Sequence, residues 1–108
     1  MLKKTDFDVV FNCKNSAADK NMIVYFKYNS LQYNRLGIVI GRKVGNAVKR
    51  NRFKRIVREA FRKSDFSMFE SFDIVVLPRK PLNTELSSIE IEESFTFLIP
   101  RVCKKTTN

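Results

Sequence analysis

The sequence predicts an α/β fold: an α+β two-layer sandwich with the element order α-β-β-α-β-α around a small mixed sheet. Apolar residues recur at three- and four-residue spacing near residues 6–13, 47–63 and 88–99, the period of a helix with one dry face. Met22 to Tyr28 and Arg35 to Ile40 are rich in β-branched and aromatic residues, and Phe72 to Leu77 is an unbroken apolar run. With 108 residues, 44% of them hydrophobic, and only three Gly and three Pro, the chain reads as a single domain, 1–108, with no room for a second core.

The first helix is expected from Asp6 to Cys13, with Thr5 as its cap, Asp8 three residues on, and Phe7, Val10 and Phe11 at i, i+3 and i+4. Asn15 to Asn21 is small and polar and reads as a loop. Alternation along the next strand places Met22, Val24, Phe26 and Tyr28 on one face and Ile23, Tyr25 and Lys27 on the other. Asn29 to Asn34 has the length of a hairpin connection, which makes Arg35 to Ile40 the returning strand.

Gly41 to Asn46 breaks that strand, and Asn46 suits the N-cap of a long helix, Ala47 to Lys63, whose stripe is Phe53, Ile56, Val57, Ala60 and Phe61. Ser64 to Ser71 is a connection. The apolar run from Phe72 suits a strand covered on both faces, and Pro78-Arg79-Lys80-Pro81 is a rigid basic turn. Ser87 and Glu90 have capping-box spacing for a last helix that Pro100 is expected to close, leaving 101–108 as a flexible basic tail.

Composition removes several kinds of chemistry. The chain has no His, so a His general base, a Ser-His-Asp or Cys-His constellation and a His metal ligand are all excluded. Cys13 and Cys103 lie far apart with no Cys-x-x-Cys pair, which reads as reduced intracellular thiols, with a disulfide as the lesser alternative. No apolar run approaches the roughly 18 residues of a membrane span, and Met1 to Lys4 leads into Asp6 and Asp8 rather than a signal core, so a cytoplasmic protein is expected.

The formal net charge is +10, which by itself implies a polyanionic partner: nucleic acid, an acidic membrane surface or an acidic protein. Its position is more informative. Residues 42–63 hold ten basic residues and one acid, for +9, while residues 1–41 carry +3 and residues 64–108 carry −2. Asn51, Lys54, Arg55, Arg58 and Arg62 fall on the side of the helix away from its apolar stripe, flanked by Arg50 and Arg52. Like charges at i, i+4 oppose one another, and Arg50, Lys54, Arg58 and Arg62 form such a row with Glu59 as the only interleaved acid. An external anion is the natural compensation. Arginine outnumbers lysine here, which favours bidentate contacts to phosphate. The membrane reading is weakened because the apolar stripe is needed by the core.

The run Gly45-Asn46-Ala47-Val48-Lys49-Arg50-Asn51-Arg52-Phe53-Lys54-Arg55, continuing to Phe61, resembles the signature of the protein component of bacterial ribonuclease P, with its Arg-Asn-Arg core. The similarity extends to Phe7 and Phe11 in the first helix, Tyr25 in a strand, the pair Arg42-Lys43 and the Pro78 to Pro81 turn. The resemblance implies a fold like domain 2 of ribosomal protein S5, with a left-handed βαβ crossover where the general rule expects a right-handed one. It implies a protein subunit that assists a catalytic RNA in removing the 5′ leader of precursor tRNA, with Mg2+ held mainly by that RNA and no second protein required. It places Arg42, Lys43, Arg50, Asn51, Arg52, Lys54, Arg55, Arg58 and Arg62 at RNA, and Phe7, Phe11 and Tyr25 in a cleft for the single-stranded leader. Read without it, Phe7 and Phe11 at i, i+4 are core residues; stacking on bases is what the resemblance adds. Glu90, Glu92 and Glu93 stand where family members are often more basic.

Two other functions are expressible in this composition. A structural RNA-binding protein of ribosomal type would use the same charged helix without supporting cleavage. A self-sufficient nuclease would need convergent carboxylates, but Asp6 and Asp8 are two apart on a helix and do not face each other.

Overall fold

A computed structural model of the chain describes residues 4–67, 69–79 and 86–106. The elements run α1 (Lys4–Asn12), β1 (Ser16–Ala18), β2 (Met22–Tyr28), β3 (Arg35–Ile38), a single 3-10 turn (Arg42–Val44), α2 (Ala47–Lys63), β4 (Phe72–Pro78) and α3 (Ser88–Thr106). The mixed α/β architecture is the one expected from the sequence.

The four strands form one sheet in the order β1-β2-β4-β3. β2 pairs antiparallel with β4, with Val24 opposite Val76 and Tyr25 opposite Val75. β3 is parallel to β4, with Arg35 opposite Asp73. The expected β2–β3 hairpin is therefore corrected: the later strand is inserted between the two. Residues 72–76 are all buried, so β4 needs a strand on each side and a layer on each face, and only the centre of the sheet supplies both. The connection that would have closed the hairpin holds Ser30 and Gln32 at φ 60° and 70° and carries the chain away from β2. As a result α2 is the crossover of a β3-α2-β4 unit.

Each face of the sheet has its own core. Met22, Val24 and Phe26 of β2 and Phe72, Ile74 and Val76 of β4 meet Phe53, Ile56, Val57 and Ala60 of α2 and Ile91, Phe95, Leu98, Ile99 and Val102 of α3. Phe residues knit this layer: the Phe26 and Phe72 ring centroids are 4.8 Å apart, Phe61 and Phe66 5.0 Å, and Phe66 and Phe72 5.3 Å. On the opposite face α1 is seated by Val10 against Val75, with Phe7, Phe11 and Tyr25 packed around them. The alternation read along β2 thus holds, with Tyr25 facing away from Val24 and Phe26.

Three local expectations are corrected. Residues 16–18, read as loop, form the short edge strand β1 because β2 offers its outer edge there, with Ser16 opposite Tyr25. α1 is already helical at Lys4, so Thr5 lies within its first turn rather than capping it. Pro100 does not close α3: the helix runs through it to Thr106, so 101–106 is no frayed tail. Val102 is fully buried beyond the proline, and its carbonyl accepts a hydrogen bond from Asn15 Nδ2 at 3.1 Å, so burial outweighs the backbone bond the proline cannot donate. The caps foreseen at Asn46 and Ser87 are formed, by Lys49 N to Asn46 Oδ1 at 2.9 Å and Glu90 N to Ser87 Oγ at 3.5 Å. Cys13 is exposed and free. Lys80 and Pro81 of the basic turn lie outside the described residues; Arg79 is exposed.

Candidate nucleic-acid interface

The cationic surface follows from the way α2 is packed. Its buried residues are Phe53, Ile56, Val57 and Ala60, and docking them on the sheet leaves Asn51, Arg55, Arg58 and Arg62 exposed on the far side. Arg52 and Lys54 flank that row, half-buried. Arg42 and Lys43 are exposed on the 3-10 turn just ahead of the helix. Arg50 differs from the others. Its Nε is buried without an acceptor among the described residues, so part of this guanidinium is withdrawn from the open face.

Glu59 does little to quiet the row. It pairs with Lys63 at 3.0 Å, and the hydrogen bond from Lys63 holds its carboxyl below the usual glutamate range, with Arg62 and Arg55 adding to the effect. Its charge is spent on Lys63, which was not among the expected site residues. Arg55, Arg58 and Arg62 face solvent at helical spacing, an arrangement whose charge and donor geometry suit phosphates.

The aromatic residues expected to form a cleft lie on the other face of the sheet, under α1. Phe11 meets Tyr25 edge to face, with 4.8 Å between ring centroids and 79° between planes. Phe7, Phe11 and Tyr25 are all half-buried, neither sealed in the core nor free. All three pack around Val10 and Val75. Phe7 also lines a groove of about 370 Å³ along the edge of β3, where Leu36, Ile38 and Phe61 form an apolar lining and Lys54, Arg58 and Arg62 stand as a basic wall. This groove joins the α1 side of the molecule to the cationic face of α2.

A larger hollow, of about 510 Å³, is lined by residues that include Tyr28, Tyr33, Phe66 and Glu70 but no Lys or Arg, so it offers no cation to a phosphate. Among the described residues no three His, Cys, Asp or Glu side chains converge on a metal position. Asp8 is exposed, while Asp6 is engaged by Arg35.

Sequence reasoning missed that Arg35. It donates from Nε and Nη2 to the two carboxylate oxygens of Asp73, at 2.8 and 2.7 Å, and from Nη1 to Asp6 Oδ2 at 3.3 Å. Asn29 Nδ2 adds a bond of 2.8 Å to Asp73. Burial alone would push the Asp73 carboxyl up; the bonds from Arg35 and Asn29 overcome it and hold the group below the usual aspartate range. The only signal in the sequence was a lone acid inside an apolar strand, a residue that requires a buried partner.

The Ribonuclease P family model matches residues 1–103. The ribonuclease P protein component of Thermotoga petrophila is 42% identical over 102 residues, covering 92% of this chain and 87% of that protein. That of Staphylococcus epidermidis is 34% identical over 98 residues, covering 90% and 84%. Among solved structures, the RNase P protein of Thermotoga maritima in complex with 1-(4-fluorophenyl)-2-thiourea superposes with a TM-score of 0.75 at 40% identity, over 86% of this chain and 91% of that one. The Staphylococcus aureus RNase P protein gives 0.73 at 32% identity, over 98% and 93%. An arginine-rich crossover helix with a single acid, a mixed-sheet fold with helices on both faces and relatives matched along most of their length lead to one conclusion: the chain belongs to the ribonuclease P protein family.

Proposed function

We propose that the cationic face of α2 holds the catalytic RNA of ribonuclease P while the aromatic cleft and the β3-edge groove receive the 5′ leader of precursor tRNA. The chain is the protein component of a ribonucleoprotein endoribonuclease of tRNA 5′ processing, and the catalytic centre lies in the RNA. A structural RNA-binding protein of ribosomal type is not favoured.

One observation carries the division of labour: the only acid on α2, Glu59, is paired with Lys63 and leaves the exposed row of Asn51, Arg55, Arg58 and Arg62 with an excess of positive charge, and the groove beside it changes from basic wall to aromatic lining. Guanidinium forks on α2 take RNA phosphates in bidentate fashion, and Arg42 and Lys43 extend that contact ahead of the helix. Releasing the RNA's counterions makes the binding strong at low salt and steeply weaker at high salt. Leaders of many sequences are held by stacking on Phe11, Tyr25 and Phe7, which every base can satisfy. Mg2+ is assigned to the RNA, and the chain's residues act by neutralising phosphates and orienting strands. On this reading precursor tRNA is the second partner, no other protein is required, and the work is done in the cytoplasm. Among the described residues no helix is long and apolar enough to cross a membrane.

The test is reconstitution with a bacterial ribonuclease P RNA. The purified chain is expected to stimulate 5′ cleavage of precursor tRNA at low magnesium concentration. Binding to the RNA without stimulation would restore the ribosomal-type reading, and metal-dependent cleavage by chain free of RNA would point to a self-sufficient nuclease.

A further inference from the structure

α1 has nine residues, too few to be stable as an isolated helix in water, so its place on the sheet is fixed by what holds it. Its C-terminal half is held by apolar contact, Val10 on Val75 and Phe11 on Tyr25. Its N-terminal turn is held differently. Lys27, Asp73 and Arg35 are opposite one another across β2, β4 and β3, forming a charged row at one level of the sheet. The Arg35 fork is fixed on Asp73 by two bonds, which aims the remaining nitrogen, Nη1, at Asp6 in the first turn of α1. The residue after Asp6 is Phe7, and Phe7 and Arg35 both line the groove that Lys54, Arg58 and Arg62 wall from the other side.

We propose that Arg35, braced by Asp73, is a positioning residue that clasps α1 through Asp6 and thereby sets the separation between Phe7 and the basic wall of α2, the width of the entrance through which the leader passes. This rests on the reading of the cleft as a leader site. An ion pair with partners a fifth to a quarter exposed adds little to global stability, so the clasp acts on geometry rather than on whether the chain folds. Asp6 is the side on which to test it, because replacing Arg35 would also leave Asp73 buried without its partner.

The experiment compares Asp6→Asn and Asp6→Glu with the wild-type chain in the reconstituted holoenzyme, measuring affinity for leader-bearing and for mature tRNA, together with amide exchange across α1 in the same complex. Asp6→Asn is expected to lower the preference for leader-bearing tRNA about fivefold with affinity for mature tRNA unchanged, and to speed exchange in α1 while β2 and β4 stay protected. Asp6→Glu, which keeps the charge, is expected to restore both. Wild-type preference and wild-type α1 exchange in Asp6→Asn overturn the clasp and leave the leader site standing. A wild-type chain that shows no preference for leader-bearing tRNA overturns the leader site and the clasp with it.

Discussion

The ring of Phe11 on α1 stands edge-on to Tyr25 on β2, 4.8 Å away, and this pair joins a helix to a sheet face without sealing either ring from solvent. The position gives each ring two roles, packing and presentation, and substitution separates them. Phe11→Ala is expected to cost about 1–2 kcal/mol of stability, less than a fully buried Phe would. It should also lower the preference for leader-bearing over mature tRNA about tenfold. Tyr25→Phe keeps the aromatic face and is expected to keep the preference. Paired affinity measurements with both tRNAs check this, and a large fall in melting temperature with the preference intact would return Phe11 to the core.

On the opposite side of the molecule, Arg55 is exposed and away from the buried stripe of α2. Arg55→Ala is expected to leave thermal unfolding nearly unchanged. Its binding to ribonuclease P RNA should weaken, and the slope of log K against log salt should become shallower by about one. Titrations at several salt concentrations measure both, and an unchanged slope would remove Arg55 from the phosphate-contacting row.

The Asp73 carboxyl is held below its ordinary range in the folded chain, so its contribution to stability is complete above the unfolded aspartate value of about 4 and fades as pH falls through the lower folded value. Asp73→Asn leaves the Arg35 fork without its anion and is expected to cost about 3 kcal/mol at pH 7. Denaturant unfolding at pH 7 and again near pH 3 tests the sign: the gap between variant and wild type should narrow in acid, and a gap that widens would contradict the ion pair.

Pro100 sits exposed in the middle of α3 with helix on either side. Pro100→Ala restores a backbone donor and removes a steric clash, gains set against the proline's restriction of the unfolded chain. A net stabilisation of about 1–2 kcal/mol is expected, seen as a rise in melting temperature of roughly 5–10 °C. A lower melting temperature would mean that the helix ends at residue 99 after all.

These residues also mark how far the sequence could be read. The two faces of α2 followed from helical period and charge alone, and the opposition of Tyr25 to Val24 and Phe26 followed from strand alternation, because both are local. The hairpin reading failed for the complementary reason: β3 finds its partner more than thirty residues later, across an entire helix, and no local pattern records that choice. β1 was hidden because Ser16, Ala17 and Ala18 carry no strand pattern of their own and are recruited by the edge of β2. Pro100 misled because propensity says stop while the burial of Val102 decides otherwise. Of the site, the cations and aromatics were visible as residue types, whereas the Arg35 fork became visible only once Asp6 and Asp73, 67 positions apart in the sequence, were placed on either side of it.

Because α2 is itself the connection between β3 and β4, the stretch of chain proposed to bind RNA is also the connection that closes the sheet. Its like charges strain that closure, and a bound polyanion relieves them, so RNA favours the folded chain by the same free energy with which it prefers that chain to an open one. On the proposed assignment of α2 to RNA, the subunit should therefore resist unfolding better when assembled than when alone.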